Sequence, residues 1–156
     1  MVLFTSYFEN KVDAKGRVSF PSQFRSQIIK NNDNFLGVVV YKSFTKQCFE
    51  GSNTDKIKLM CDNILKKDTL TNKQKDFALT NITTYSISLP FDVEGRIILP
   101  KNLMEQTGIT DKVIFAGKNE IFEIWEPQKF NEYMKEVNGE FENKEQFKNE
   151  MLTIAF

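Results

Sequence analysis

No histidine occurs in this 156-residue chain. That absence removes the commonest general base, the commonest metal ligand, and both the Ser-His-Asp and Cys-His arrangements for nucleophilic catalysis. Cysteine is nearly as scarce. Cys48 and Cys61 stand 13 positions apart, which is the spacing of neither a zinc site nor a disulfide framework. Reduced thiols in a cytosolic chain are the expectation. No apolar run approaches the ~20 residues of a membrane span. The N-terminal Met-Val-Leu-Phe-Thr-Ser has no basic flank and no long apolar stretch, so no signal peptide is expected. Net charge is missing too: 21 basic residues balance 21 acidic ones, and the pI is about 6.4. Such a chain can bind nucleic acid only through a local patch. Carboxylates and lysines remain, notably Asp13, Lys15 and Asp92, but nothing pairs a nucleophile with a base. The expectation is therefore no enzyme, no catalytic residue, no cofactor, no metal and no small-molecule ligand.

What the chain does have is a stretch of 13 residues that occurs twice, Asp13–Arg25 and Asp92–Met104. Four positions are identical: Asp13/Asp92, Gly16/Gly95, Arg17/Arg96 and Pro21/Pro100. The apolar positions agree in character: Val18/Ile97, Phe20/Leu99 and Phe24/Leu103. Self-similarity at a fixed offset marks a fold built from copies of one small unit. A unit of about 50 residues buries too little surface to be stable alone, so the two copies are expected to pack on each other or on other subunits. At 40% hydrophobic, with 15 Phe and one Trp, the chain can form a core.

The coarse pattern repeats as well. Strand-like residues fill Val2–Phe8, Arg17–Phe20, Leu36–Tyr41 and Gln47–Glu50 in the first copy, with a helix over Pro21–Lys30 opened by its proline. A polar break is expected at Asn31–Asn34. The second copy offers strands at Thr83–Pro90, with Tyr85, Ile87 and Leu89 on one face, and at Arg96–Leu99, Val113–Phe115 and Glu123–Trp125. Its helix runs from Pro100 to a glycine stop at Gly108. Between the copies, Ile57, Met60, Cys61, Ile64 and Leu65 have helical spacing, and Thr71-Asn-Lys-Gln74 is a capping-box pattern. After the second copy, Pro127 opens a helix carrying Phe130, Tyr133, Met134 and Val137, which Asn138-Gly139 should end. Asn143 could cap a last helix with Phe147 and Met151. Trp125 reads as core.

The repeated Asp-x-x-Gly-Arg has a chemistry of its own. Glycine permits positive φ, so the chain can turn tightly. Asp and Arg four apart across that turn can pair. The pair could simply staple the turn, or it could also aim a guanidinium, whose planar fork suits phosphates and guanine edges. Lys11, Lys15 and Arg25 make the neighbourhood of Arg17 basic, whereas the second copy has Glu94 and Met104 where the first has Lys15 and Arg25. Unequal charge on two copies implies unequal jobs: the first should contact anions, and Arg96 should be mainly structural.

Three segments together resemble the MraZ family of bacterial transcriptional regulators, which carry two tandem SpoVT-AbrB-type repeats. They are Glu9–Pro21 with its Asp-Ala-Lys-Gly-Arg, the Asp92–Pro100 copy, and Phe115-x-Gly followed by Phe122-Glu-Ile-Trp-Glu-Pro127. The resemblance spans essentially the whole chain in order. It implies an α+β fold with a mainly β core, formed by two tandem swapped-hairpin repeats (AbrB-like, a double-split β-barrel) with flanking helices. Repeat 1 would cover residues 7–53 and contact DNA, with a helical connector over 54–82, repeat 2 over 83–127 and a C-terminal helical tail over 128–156. It further implies a ring-shaped homo-oligomer in the cytoplasm, associated with the nucleoid. This ring would bind double-stranded DNA at short G-rich direct repeats upstream of the cell-division and cell-wall operon that contains its own gene, mostly as a repressor. Carried over by position, Arg17 is the contact residue and Lys15 supports it. Asp13 and Gly16 hold the loop, as Asp92, Gly95 and Arg96 do in the second copy. Lys11 and Arg25 join the DNA-binding set from local charge alone. Phe4 and Phe8 are less varied than the pattern leads one to expect, and the tail is rich in Phe, Asn and Lys. Two other roles stay open: a structural or protein-interaction module without specific DNA readout, and an antitoxin-like role. The second copy and the helical tail argue against the latter.

Overall fold

The repeated pattern of apolar residues becomes one α+β unit in the computed structural model, which describes residues 1–31 and 34–156. Of the polar break expected at Asn31–Asn34, Asn32 and Asp33 lie outside the described residues. In chain order the first copy gives β1 (Tyr7–Lys11), β2 (Arg17–Ser19), α1 (Ser22–Lys30), β3 (Gly37–Lys42) and β4 (Phe49–Ser52). Two helices follow, α2 (Thr54–Lys66) and α3 (Asn72–Leu79), and a short π-helical turn over Thr80–Thr84. The second copy gives β5 (Ile87–Pro90), β6 (Arg96–Ile98), α4 (Lys101–Thr107), β7 (Lys112–Lys118) and β8 (Ile121–Trp125). The chain closes with α5 (Pro127–Phe141) and α6 (Glu145–Ala155).

The larger sheet has the order β1-β7-β8-β4-β3-β5, and β2 and β6 form a separate ribbon. Every pairing is antiparallel. The two hairpins, β3–β4 and β7–β8, meet in the middle through β4 and β8. The first strand of each copy then pairs with the hairpin of the other: β1 with β7, and β5 with β3. The ribbon is likewise one strand from each copy, with Val18 opposite Ile97. Neither copy's hydrogen-bond ladder is complete without the other, which meets the requirement that units of this size share a core.

That core is built from the repeated apolar positions. Val18, Ile97, Phe20, Leu99, Phe24 and Leu103 are each no more than 2% exposed. Phe20 makes edge contacts with Phe24, Phe115 and Phe122 at centroid distances of 5.9, 5.4 and 5.2 Å. Offset and edge-on arrangements at such distances suit the ring quadrupole. Each helical extension covers a smaller cluster: Tyr41, Ile57, Cys61 and Ile82 under α2, and Cys48, Ile114, Trp125 and Phe130 under α5.

Several expectations are corrected. The first strand begins at Tyr7 rather than Val2, because the positive φ of 69° at Ser6 interrupts the ladder. Phe4 meets Asn119 only in an isolated bridge while its ring is buried. The strand expected from Thr83 begins at Ile87, since the π-helical turn carries Ile82 into the core and leaves Tyr85 exposed. Leu65 lies on the outer face of α2. Gly139 does not stop α5, which runs on to Phe141, where that ring meets Phe147 at 5.3 Å. Gly139 faces open space, and one exposed helical glycine costs only about 1 kcal/mol. Asn143 does not cap α6, whose N-cap is Lys144. By contrast, Thr71 and Gln74 form the full capping box, and Gly108 ends α4 in the left-handed conformation.

Candidate nucleic-acid interface

Both Asp-x-x-Gly-Arg segments fold into the same turn. Asp13 Oδ1 accepts from the backbone N–H of Lys15 at 2.9 Å and of Arg17 at 2.8 Å. Arg17 Nε donates to Asp13 Oδ2 at 2.7 Å. In the second copy, Asp92 accepts from the N–H of Glu94 and Arg96, each at 2.9 Å, and from Arg96 Nε at 2.8 Å. The backbone N–H of Arg17 is the main influence holding the Asp13 carboxyl below its ordinary pKa, helped by the Arg17 side chain and the Lys15 N–H. The Arg96 N–H leads in the same way at Asp92. Hydrogen bonds to a charged form favour that form. Glycine is needed at the turn: Gly16 has φ of 81°, and a Cβ there would lie 2.7 Å from the Leu99 carbonyl oxygen. Gly95 has φ of 77°, and a Cβ there would collide with the Arg25 guanidinium.

The two turns sit on one ribbon and grip each other's strands. Leu99 donates its N–H to the Gly16 carbonyl at 2.8 Å, and Phe20 donates to the Gly95 carbonyl at 3.1 Å. Alternation along β2 and β6 sends Val18 and Ile97 into the core. It leaves Arg17, Ser19, Arg96 and Ile98 on the outer side, with Ser19 and Ile98 exposed and both arginines half-buried. Arg17 and Arg96 therefore share one solvent face, a placement their 79-residue separation in sequence conceals.

Their surroundings differ. Arg96 Nη1 also lies 3.6 Å from the Glu94 carboxylate. The terminal nitrogens of Arg17 have no such partner among the described residues, because Lys15 replaces the glutamate. Lys15 is exposed and lines a groove of about 520 Å³ between the first turn and α4, together with Gly16, Leu99, Lys101 and Met104. Lys101 was missed by sequence reasoning, because it belongs to the second copy and reaches this groove only through the contact of Gly16 with Leu99. Lys11 is exposed at the end of β1, opposite Lys112 on β7. Arg25 is turned the other way: its Nη1 donates to the Phe20 carbonyl at 2.9 Å and to the Gly95 carbonyl at 3.3 Å, tying α1 to the second turn.

A second polar cluster lies beneath α5. Glu123 is fully buried, pairs with Lys46, and accepts from Trp125 Nε1 at 3.0 Å. Glu50, its cross-strand neighbour, accepts from Ser43 Oγ at 3.0 Å. Burial works against the Lys46 ammonium, but the Glu123 hydrogen bond and the nearby carboxylates outweigh it and raise the Lys46 pKa. Burial, followed by the charges of Glu123 and Glu50, pushes the Cys48 thiol well up. A thiol held protonated is a poor nucleophile, and both cysteines are unpaired and buried. No helix among the described residues is long and apolar enough to cross a membrane.

Comparison with known proteins gives this geometry a context. Residues 84–152 match the family model described as "MraZ protein, putative antitoxin-like". The chain is similar to the transcriptional regulator MraZ of Rickettsia bellii (strain OSU 85-389), with 37% identity over 133 residues, covering 85% of this chain and 87% of that one. It is 38% identical over 133 residues to the transcriptional regulator MraZ of Pelagibacter ubique (strain HTCC1062), covering 84% and 83% of the two chains. The corresponding protein of Rickettsia rickettsii (strain Sheila Smith) is 39% identical over 134 residues, covering 86% and 88%. These alignments run through most of the chain at substantial identity, so the chain belongs to the MraZ family of transcriptional regulators.

Proposed function

We propose that this protein is a sequence-specific DNA-binding regulator, acting as a repressor, that reads short G-rich direct repeats through the first of its two turns. The observation that carries the reading is the Arg17 guanidinium, tied by its Nε to Asp13 with its terminal nitrogens unpaired, beside exposed Lys15. A guanidinium so held can donate to guanine O6 and N7, a contact worth about 1–3 kcal/mol of discrimination. Lys15 and Lys101 serve phosphates and set the salt dependence. Lys11 extends the basic edge. Arg25 is left out of this interface because its Nη1 is held by the Phe20 and Gly95 carbonyls, on the side of the second turn. Asp13 and Gly16 shape the reading turn, while Asp92, Gly95 and Arg96 shape its structural twin.

The proposed architecture is the tandem swapped-hairpin, double-split barrel, with repeats over 7–53 and 83–127, a helical connector over 54–82 and a tail over 128–156. The exchange of first strands between the two hairpins supports it. A subunit of zero net charge binds weakly through one turn. A homo-oligomeric ring would align many turns, and tethering raises avidity by ~10²–10⁴-fold when the spacing fits. Direct repeats in the DNA answer that need. Family membership supports a target upstream of the cell-division and cell-wall operon that includes the protein's own gene, and with it a cytoplasmic, nucleoid-associated protein. The proposal has no enzymatic component.

Fluorescence anisotropy with the DNA upstream of this gene, against a shuffled duplex of the same composition, tests the reading. Tight binding to the native duplex alone is the expected result. Equal affinity for both at every salt concentration would favour a structural or protein-interaction module instead.

A further inference from the structure

The ribbon places beside each turn a residue that the turn's own copy does not supply. On its outer face Arg17 stands directly opposite Ile98, and Arg96 directly opposite Ser19. Ser19 and Ile98 are matching positions of the two copies, each two residues after its arginine. Each arginine therefore has a cross-strand neighbour from the other copy. The first turn gains an isoleucine, and the second gains a serine.

Ile98 is 58% exposed and takes no part in the apolar clusters formed by the described residues. Its γ2 methyl lies over the first turn, 3.7 Å from where a Cβ on Gly16 would stand. The corresponding place at Gly95 is filled by the Arg25 guanidinium. A β-branched residue suits a strand, but Ser19 fills the equivalent place on the same ribbon, so the strand alone does not call for isoleucine. The solvent side of the first turn thus combines the Arg17 guanidinium, the Lys15 ammonium and one branched apolar side chain.

That combination matches the base edges in a DNA major groove, which admits a two-stranded ribbon. Guanine offers O6 and N7 acceptors there, and among the four bases thymine offers a methyl group. Directly opposite side chains on an antiparallel pair have Cβ atoms about 5 Å apart, and successive bases on a strand are about 3.4 Å apart. A ribbon that sets Arg17 on a guanine therefore sets Ile98 within one or two base steps of it. We infer that Ile98, from the second copy, reads the 5-methyl group of a thymine one or two steps from the guanine that Arg17 reads. The recognition surface is then composite: the first copy supplies its polar contacts and the second its apolar one. The inference rests on the DNA-binding function proposed above and extends it to a second base and to a residue outside the first repeat.

Replacing thymine by deoxyuridine removes the methyl and keeps every hydrogen-bonding group, so anisotropy titrations with such a duplex test the inference. The probe is the DNA upstream of this gene with every thymine in its repeats replaced on both strands. The unaltered chain should bind it about fourfold more weakly for each methyl contacted, the value of burying one carbon group, and should still prefer it to a shuffled duplex. Ile98→Ser and Ile98→Gln, each checked by thermal melt, should bind the thymine and deoxyuridine duplexes equally, and either one with a cooperative melt suffices for the comparison. An unaltered chain that prefers the native duplex to a shuffled one, yet binds the thymine and deoxyuridine forms alike, would overturn the inference and leave the proposed function standing. A methyl preference that persists unchanged in the folded variants would assign the contact to another residue and overturn it too. No preference for the native duplex over the shuffled one would overturn the proposed function and the inference together.

Discussion

Arg17 and Arg96 make the same bond to an aspartate four residues before them, and what separates them is the residue at the middle of each turn. Lys15 leaves the Arg17 terminal nitrogens facing solvent, while Glu94 draws those of Arg96 back. The aspartates give the turns a pH signature. The folded Asp13 carboxyl titrates below its ordinary value of 3.8. Its contribution to stability is therefore complete above that ordinary value and is lost as pH falls through the folded one. Thermal melts of Asp13→Asn should show a lower Tm than the unaltered chain at pH 7, with the gap closing below pH 4. A gap that stays constant across that range would contradict the assignment. At the buried cluster, Lys46→Ala strands the fully buried Glu123 without its cation. Removing one partner of such a pair costs about 3 kcal/mol or more, to be read as a lower urea midpoint at unchanged slope. The cost should shrink in Lys46→Ala/Glu123→Gln, and a single variant as stable as the unaltered chain would contradict this account of the pair.

At the scale of elements, the turns, the proline-led helices and the capping box were legible because each is dictated locally. Gly16 and Gly95 adopt the positive φ that Asp-x-x-Gly-Arg implies, and Thr71 and Gln74 lie three apart as a capping box requires. Gly16→Ala tests that logic. The strained φ and the contact with the Leu99 carbonyl should cost more than about 1 kcal/mol, seen as a lower Tm. An unchanged Tm would mean the turn can relax. Where the reading failed, a tertiary contact overrode the local pattern. Tyr85, Ile87 and Leu89 alternate as a strand would, but burying Ile82 prolongs the helical path past Thr80. Gly139 looks like a stop, but the Phe141–Phe147 contact lies beyond it. Arg25 looked like part of a basic patch, because only the fold brings the Gly95 carbonyl, 70 residues away, within its reach. Lys101 was invisible for the same reason.

For the whole molecule, the repeat in the sequence foretold two copies of one unit but not how they join. The pairings supply that: each copy's first strand completes the other's sheet, and the ribbon takes one strand from each. The exchange brings both arginines to a single face, and under the proposed function the flanking residues assign them different work. This division of labour is the central claim, and one measurement addresses it most directly. Anisotropy titrations of the upstream duplex with Arg17→Ala and Arg96→Ala, each checked by thermal melt, compare the two turns in one assay. The account predicts that Arg17→Ala keeps its cooperative melt and loses preference for the native duplex over a shuffled one, while Arg96→Ala lowers the Tm and keeps that preference. Equal loss of preference in both variants, with both folds intact, would contradict it and make the two turns joint readers of the same DNA.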